Sequence, residues 1–182
     1  KMIKETDGDD YEAARSLNQE LTFQDAECFF TEEHISLGQE QKRTLGLVSE
    51  DGVFTNLGLL LSDQCPHTAK LAVFQGSGKT VFKDRAEFSG SLFRQMKDIY
   101  DHIDRFNRIR AEFPGLKRVD TRDYPPEALR EAMLNAIVHR DYSYSASTFI
   151  SIFDDRIEFV TLGGLPKGIA MSDVMMGVSV PR

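Results

Sequence analysis

The feature that most constrains this chain is an apolar stripe between residues 92 and 106. Apolar side chains recur there at spacings of four, three, four and three residues, which is the period of one helix face. The five positions are Leu92, Met96, Ile99, Ile103 and Phe106. Because such a face must be buried against other elements, we expect a long core helix that begins near residue 89.

Strand-like segments lie on both sides of this helix. Residues 70–75 and 80–83 flank a glycine-rich turn, and residues 148–153 and 156–161 alternate around Asp154-Asp155. Both patterns are typical of β-hairpins. Turn chemistry is enough to explain the two acidic residues, without a bound cation.

A second helix is expected from Pro125 to about Arg140, since proline suits the first turn of a helix. Helices and hairpins then alternate along the chain. This order predicts an α+β fold in which an antiparallel or mixed sheet packs against helices.

The first 63 residues are the acidic part of the chain. They carry 5 basic and 14 acidic side chains, whereas residues 64–182 carry 17 and 15, and the whole chain has a net charge of −7. We expect a helical acidic segment over residues 1–63 and an α+β module over residues 64–182, or one continuous domain. The helices expected in the acidic segment are 9–21, 22–33, 36–48 and 56–61, with Thr22, Ser36 and Thr55 as N-caps.

Composition excludes some classes of protein. Hydrophobic residues make up 41% and charged residues 28% of the 182 residues, which is typical of globular chains. No apolar run approaches the roughly 18 residues of a membrane span. Cys28 and Cys65 cannot form a disulfide framework, and no secretion signal is visible, so we expect structural cysteines in a cytoplasmic protein.

Basic residues are concentrated between positions 94 and 118, but acidic residues are interspersed among them. This mixture favours a solvated helix face over a nucleic-acid-binding patch. The overall basic charge that direct nucleic-acid binding usually requires is missing from this chain.

The run Gly76-Ser77-Gly78-Lys79-Thr80 resembles the end of a P-loop, whose backbone amides cradle phosphate groups. The first glycine of that motif would fall at position 73, which is Val73. A strand, and not a helix, is expected directly after Lys79. We therefore interpret this run as a hairpin turn.

Three polar residues share one face of the second helix. Glu131, Asn135 and His139 are spaced four apart, and the small residues Ala128 and Ala132 lie on the same side. A glutamate can accept a proton from water, and an asparagine oxygen can bind a hard cation. The stripe is therefore either a ligand-binding wall or an ordinary solvated helix side.

A resemblance adds to this interpretation. The segments YPPEALREA at 124–132, NAIVHRDYS at 135–143, FDDRIE at 153–158 and GGLP at 163–166 resemble the RecG-related transcriptional regulators. That family is also known as the Schlafen AlbA-type or divergent GHKL (Bergerat-fold) HATPase proteins. The resemblance continues upstream through TNLGLLL at 55–61 and FKDR at 82–85.

The resemblance implies a GHKL-like layer that binds ATP with Mg²⁺. By matching motif positions, Glu131 would orient or deprotonate the attacking water, and Asn135 would hold Mg²⁺ between the phosphates. His139 would have a positioning role, and Gly163 and Gly164 would let the backbone approach the nucleotide.

Two features depart from the GHKL pattern. Thr161 stands where these proteins have an aspartate that binds the adenine amino group, and no second glycine box is recognisable before Arg182. Besides an ATP-binding module, the alternatives are therefore a nucleotide-free scaffold or dimerisation module and an active Mg²⁺-dependent ATPase.

The resemblance also implies partners. DNA would be bound by flanking domains outside this chain, an AlbA-like domain before it and a winged helix-turn-helix after it. A homodimer is left open, and no membrane association is expected.

Overall fold

The computed structural model describes residues 11–112, 117 and 119–163. Within these residues the chain is an α+β protein, as predicted, with one four-stranded sheet, one two-stranded ribbon and five helices. In chain order the elements are α1 Gln24–Glu32, α2 Gln39–Thr44, α3 Asn56–Leu61, β1 Ala69–Phe74, β2 Phe82–Phe88, α4 Leu92–Phe106, β3 Ile109–Glu112, β4 Val119–Arg122, α5 Pro126–Val138, β5 Thr148–Ile152 and β6 Ile157–Val160.

The main sheet is mixed, with strand order β2-β1-β5-β6. The outer pairs β1–β2 and β5–β6 are the two predicted antiparallel hairpins, and the central pair β1–β5 is parallel. Strand β2 continues to Phe88, past the predicted end at residue 83. Its residues 83–87 have no apolar alternation because this edge strand is largely exposed on both faces.

The core lies between this sheet and helices α4 and α5. It is built from Leu71, Val73, Ile150 and Ile152 of the central strands, from Leu92, Ile99 and Ile103 of α4, and from Leu129, Met133 and Ile137 of α5. The apolar stripe is therefore confirmed as the buried face of a long helix. That helix begins at Leu92, where the Ser91 hydroxyl accepts a hydrogen bond from the Arg94 amide at 3.1 Å.

Near the start of the chain, one predicted helix does not form in the described residues, and a second is shorter than predicted. Residues 11–21 form no helix, because their backbone pairs with the segment before α3, where the Ser16 amide donates to the Phe54 carbonyl at 2.9 Å. Helix α2 covers only residues 39–44 of the predicted 36–48, and it starts after Gly38, not Ser36. The cap of α3 is confirmed, since the Thr55 hydroxyl accepts from the Gly58 amide at 3.1 Å.

The N-terminus of α1 is capped by a distant carboxylate, so the predicted Thr22 cap is wrong. The Asp63 side chain accepts hydrogen bonds from the backbone amides of Gln24 and Asp25 at 3.0 and 3.1 Å. The Thr22 hydroxyl donates to the same carboxylate at 2.6 Å. Partial burial opposes ionisation, but these hydrogen bonds outweigh it and lower the pKa of Asp63 below its ordinary value.

The ribbon β3–β4 was not predicted. It is antiparallel, with Ile109 opposite Arg122 and Arg110 opposite Thr121, and its described side chains are exposed. The interpretation of positions 94–118 as one helix face therefore holds only as far as Phe106. Beyond that residue, Arg108 precedes the ribbon and Arg110 lies on β3.

No helix in the described ranges is long and apolar enough to cross a membrane.

Replacing Asp63 by alanine should destabilise the protein by about 1 kcal/mol at neutral pH, the usual cost of a lost cap. Because the pKa of Asp63 is lowered in the folded state, the ionised side chain stabilises the fold above the unfolded pKa of 3.8. This stabilisation is lost as the pH falls below that value. Urea denaturation should show that the difference in unfolding free energy between the parent protein and Asp63→Ala is smaller at acidic than at neutral pH.

Glu50→Ala is a matched control, since Glu50 is an exposed acidic residue in a loop of the same acidic segment. It should change stability by less than about 0.5 kcal/mol. An Asp63→Ala protein with unchanged neutral-pH stability would contradict the capping role.

Candidate functional site

Helix α5 has one buried face and one polar face, as its sequence predicts. Pro126 occupies the first helical turn, and Leu129, Met133, Ala136 and Ile137 are all buried. Leu129, Met133 and Ile137 belong to the core shared with the sheet and α4. Packing of this apolar face fixes the rotation of the helix about its axis. The predicted residues Glu131 and Asn135 are therefore directed to solvent, and both are exposed.

The Glu131 and Asn135 side chains are in direct contact. The Asn135 amide nitrogen donates a hydrogen bond to a Glu131 carboxylate oxygen at 3.2 Å. In this orientation the Asn135 amide oxygen has no hydrogen-bond partner among the described residues. The second carboxylate oxygen of Glu131 is not used in this contact. The pair presents hard oxygen atoms of the kind that Mg²⁺ and water bind.

His139 follows the last helical residue and is exposed. The chain that leaves β6 crosses this end of α5, because the Asp141 amide donates to the Leu162 carbonyl at 2.8 Å. At the next residue, Gly163, a side-chain carbon would come within 3.0 Å of the His139 carbonyl oxygen. Gly163 is thus a position of close backbone approach. The predicted Gly164 lies outside the described residues.

Thr161 also lies on this exit from β6. Its hydroxyl oxygen is buried and has no hydrogen-bond partner in the described part of the chain. An unsatisfied buried hydroxyl costs about 1–3 kcal/mol, and a bound polar group removes that cost. Within the described part of the chain, the Thr161 hydroxyl is therefore a group that a ligand or a water molecule could satisfy.

The described residues contain no group of three or more histidine, cysteine, aspartate or glutamate side chains arranged to hold a metal ion. Cys65 is buried and Cys28 is exposed, and both thiols are free. A Mg²⁺ ion near Asn135 would therefore need most of its ligands from phosphate oxygens and water, as is usual for this ion.

A buried arginine, which sequence reasoning missed, stands next to His139. Arg140 is only 5% exposed, and its guanidinium donates to the Thr148 hydroxyl at 3.4 Å and to the carbonyls of Tyr144 and Ala146. The guanidinium also lies over the Tyr142 ring, 4.9 Å from its centroid. None of these partners is a carboxylate.

Among the described residues, His67 is a further partner of Arg140. Its Nδ1 atom lies 3.1 Å from the guanidinium, and since arginine only donates, Nδ1 must accept and the imidazole must be neutral. Its Nε2 atom is buried without a partner among the described residues. Burial, and after it the charge of Arg140, lowers the pKa of His67, while burial raises the pKa of the adjacent Cys65 thiol to about 11.

The glycine-rich turn is a hairpin turn between β1 and β2, as predicted, and not a phosphate-binding loop. It is tied to the neighbouring turn by Asp154, whose carboxylate accepts from the Gly76 amide at 2.6 Å and from Lys83 at 3.0 Å. Asp154 thus has a structural partner set, in agreement with its interpretation as a turn residue.

An apolar groove lies on the other side of α5. It encloses about 710 Å³ between α1, α4 and the first turns of α5, and neither Glu131 nor Asn135 lines it. Phe29 and Phe93 stack in its wall with ring centroids 4.4 Å apart. The two faces of α5 outside the core therefore adjoin two different surfaces, one polar and one apolar.

Comparisons with known proteins show the fold alone. No family model matches the chain, and no curated protein matches it. The crystal structure of the DIP2311 protein from Corynebacterium diphtheriae is similar, with a TM-score of 0.76 and 22% identity over 92% of this chain. The chain covers 36% of that protein, so it spans about a third of the length of this structural neighbour.

The buried His67 predicts a sensitivity to acid. Because its pKa is lowered in the folded state, the unfolded chain binds more protons below its ordinary value of 6.5. Stability should therefore fall as the pH drops from about 6.5, by at most about 1.4 kcal/mol per pH unit. His67→Gln, which keeps an acceptor for Arg140 but does not titrate, should flatten this dependence in chemical denaturation.

His34→Asn is the control, since His34 is exposed and asparagine tolerates its positive φ of 60°. This variant should keep the acid dependence of the parent protein. Equal slopes for His67→Gln and the parent would show that His67 is not the group that titrates.

Proposed function

We propose that the polar face of α5 and the exit of β6 form a binding site for a nucleotide with Mg²⁺. The observation that carries this proposal is the convergence of the predicted residues. The Glu131–Asn135 pair lies on one face of α5, and the backbone at Leu162 and Gly163 closes on the end of the same helix.

The residues present fit such a ligand. Asn135 would supply an amide oxygen for Mg²⁺, and the Thr161 hydroxyl, which has no partner among the described residues, would supply a hydrogen-bonding group for the base. Glu131 would orient an attacking water molecule or accept its proton. His139 would position the ligand at the helix end, and Gly163, followed by Gly164, would let the backbone approach it.

The cellular role that we propose is regulatory. The module would pass its nucleotide-bound state to DNA-binding parts of a larger transcriptional regulator related to the RecG-like proteins. Two observations support a role in a larger protein: the chain covers about a third of its structural neighbour, and its own net charge of −7 is unsuited to direct contact with DNA. The cytoplasm is the compartment that we propose for it.

A second candidate is a nucleotide-free interaction module. The apolar groove of about 710 Å³ favours it, because apolar concave surfaces of this size commonly bind ligands or partner elements. Thr161 in place of an acidic residue also favours it, since a hydroxyl is a weaker acceptor than a carboxylate.

Calorimetric titration of ATP with excess Mg²⁺ distinguishes these candidates. We expect saturable binding that is lost when Mg²⁺ is chelated and that weakens at least about tenfold in Asn135→Ala, since a metal ligand is removed. Glu127→Gln is the matched control, because Glu127 is an exposed residue one turn earlier on α5. It should bind ATP like the parent protein.

No heat and no thermal stabilisation at millimolar ATP would remove the nucleotide proposal in favour of the interaction module. Binding that survives Asn135→Ala unchanged would show that ATP binds elsewhere.

Turnover decides between an ATP-binding module and an ATPase. If the protein hydrolyses ATP, Glu131→Gln should lower the rate by about a hundredfold or more and leave binding intact, since it removes the proposed base. Phosphate release from the parent and the variant at saturating ATP measures this difference. Equal rates in the two proteins would contradict the role of Glu131.

A further inference from the structure

A second concave site lies at the edge of the sheet where β1 and β5 end. Strands β1 and β5 are parallel, so their carboxyl ends meet at one edge, where Val73 pairs with Ile152. Ligands commonly bind outside the carboxyl ends of parallel strands. A cleft of about 130 Å³ opens there between the sheet edge and the end of α4, and neither Glu131 nor Asn135 lines it.

The cleft has an apolar floor and a fixed wall. Its floor consists of Val73, Phe74, Phe106, Tyr124, Ile152 and Phe153. The buried Asn107 side chain clamps the wall, donating to the Tyr124 carbonyl at 2.8 Å and accepting from the Tyr124 amide at 2.9 Å. This two-way contact fixes the chain on both sides of the ribbon and so positions Arg108 beside the cleft.

The charged groups on the cleft wall leave a surplus of positive charge. Lys83, Arg105 and Arg108 line the cleft together with Asp123 and Asp154. Both carboxylates already have cationic partners: Asp154 accepts from Lys83 at 3.0 Å, and Asp123 pairs at 2.7 Å with an arginine of β3 outside the cleft lining, Arg110.

Two arginines are therefore available for a ligand. Arg105 has no ion pair or hydrogen bond among the described residues. Arg108 reaches Asp154 only at 3.6 Å, which is longer than a hydrogen bond. A guanidinium group binds an oxyanion with two parallel hydrogen bonds, so two arginines suit a doubly charged tetrahedral anion.

We propose that this cleft binds a phosphate group, either as the free anion or as the end of a small phosphate monoester. A volume of about 130 Å³ is large enough for one tetrahedral oxyanion. The aromatic floor, in which Phe74 and Phe153 stack at 5.1 Å, would contact the organic part of a monoester. The site is separate from the proposed nucleotide site and does not depend on it.

Titration with inorganic phosphate at low, constant ionic strength tests the proposal, with amide NMR shifts as the readout. We expect saturable shifts that include the backbone amides of residues 105–108 and 123–124. Arg105→Ala should weaken the affinity at least about tenfold, because it removes a charged hydrogen bond. A second titration with phenyl phosphate separates the two sources: tighter binding than phosphate identifies a monoester, and equal binding identifies the free anion.

Arg130→Ala is the matched control, since Arg130 is also an exposed arginine without an ion pair among the described residues and lines the apolar groove on α5. It should bind phosphate like the parent protein. Circular dichroism should show that Arg105→Ala is folded. Absence of saturable binding, or equal loss in Arg105→Ala and Arg130→Ala, would overturn the proposal.

Discussion

The arrangement around the end of α5 depends on one buried cation. The Arg140 guanidinium is held by an imidazole, a hydroxyl, two carbonyls and an aromatic face, with no carboxylate among its described partners. A buried charge without such partners would cost several kcal/mol. The contacts join the segment before β1, through His67, to the loop before β5 and to the start of that strand at Thr148. This cation therefore fixes the position where α5 ends.

The geometry of the candidate site depends on these contacts of Arg140. His139 precedes Arg140 and Asp141 follows it, and the Asp141 amide bonds to the chain leaving β6. The apolar face of α5 sets the rotation of the helix, and Arg140 sets where the loop after it runs. Glu131 and Asn135 need no contact with the core to be placed, since both constraints act on the backbone that carries them.

The parts of this fold that sequence predicts are those determined by local pattern. The stripe in α4, both hairpins of the main sheet and the buried face of α5 follow from apolar periodicity. Distant contacts determine the rest: Asp63 replaces the cap predicted at Thr22, and the exposed ribbon β3–β4 has no apolar alternation to reveal it. The burial of Arg140 was equally invisible, because arginine is a surface residue in most sequences. The shared helix face of Glu131 and Asn135 was predicted from spacing, whereas the close approach of Gly163 to the His139 carbonyl depends on a distant contact.

The parallel pairing of β1 with β5 has a consequence for how the molecule assembles. The turn after β1 and the turn after β5 are joined by the hydrogen bond from the Gly76 amide to the Asp154 carboxylate, 78 positions apart in the chain. During synthesis the β1–β2 hairpin must wait for both long helices and β5 to emerge, with the inner edge of β1 unpaired until then. Folding should thus proceed through a late step that closes the sheet at its centre, and a chain cut before β5 would keep an open edge where other chains can pair.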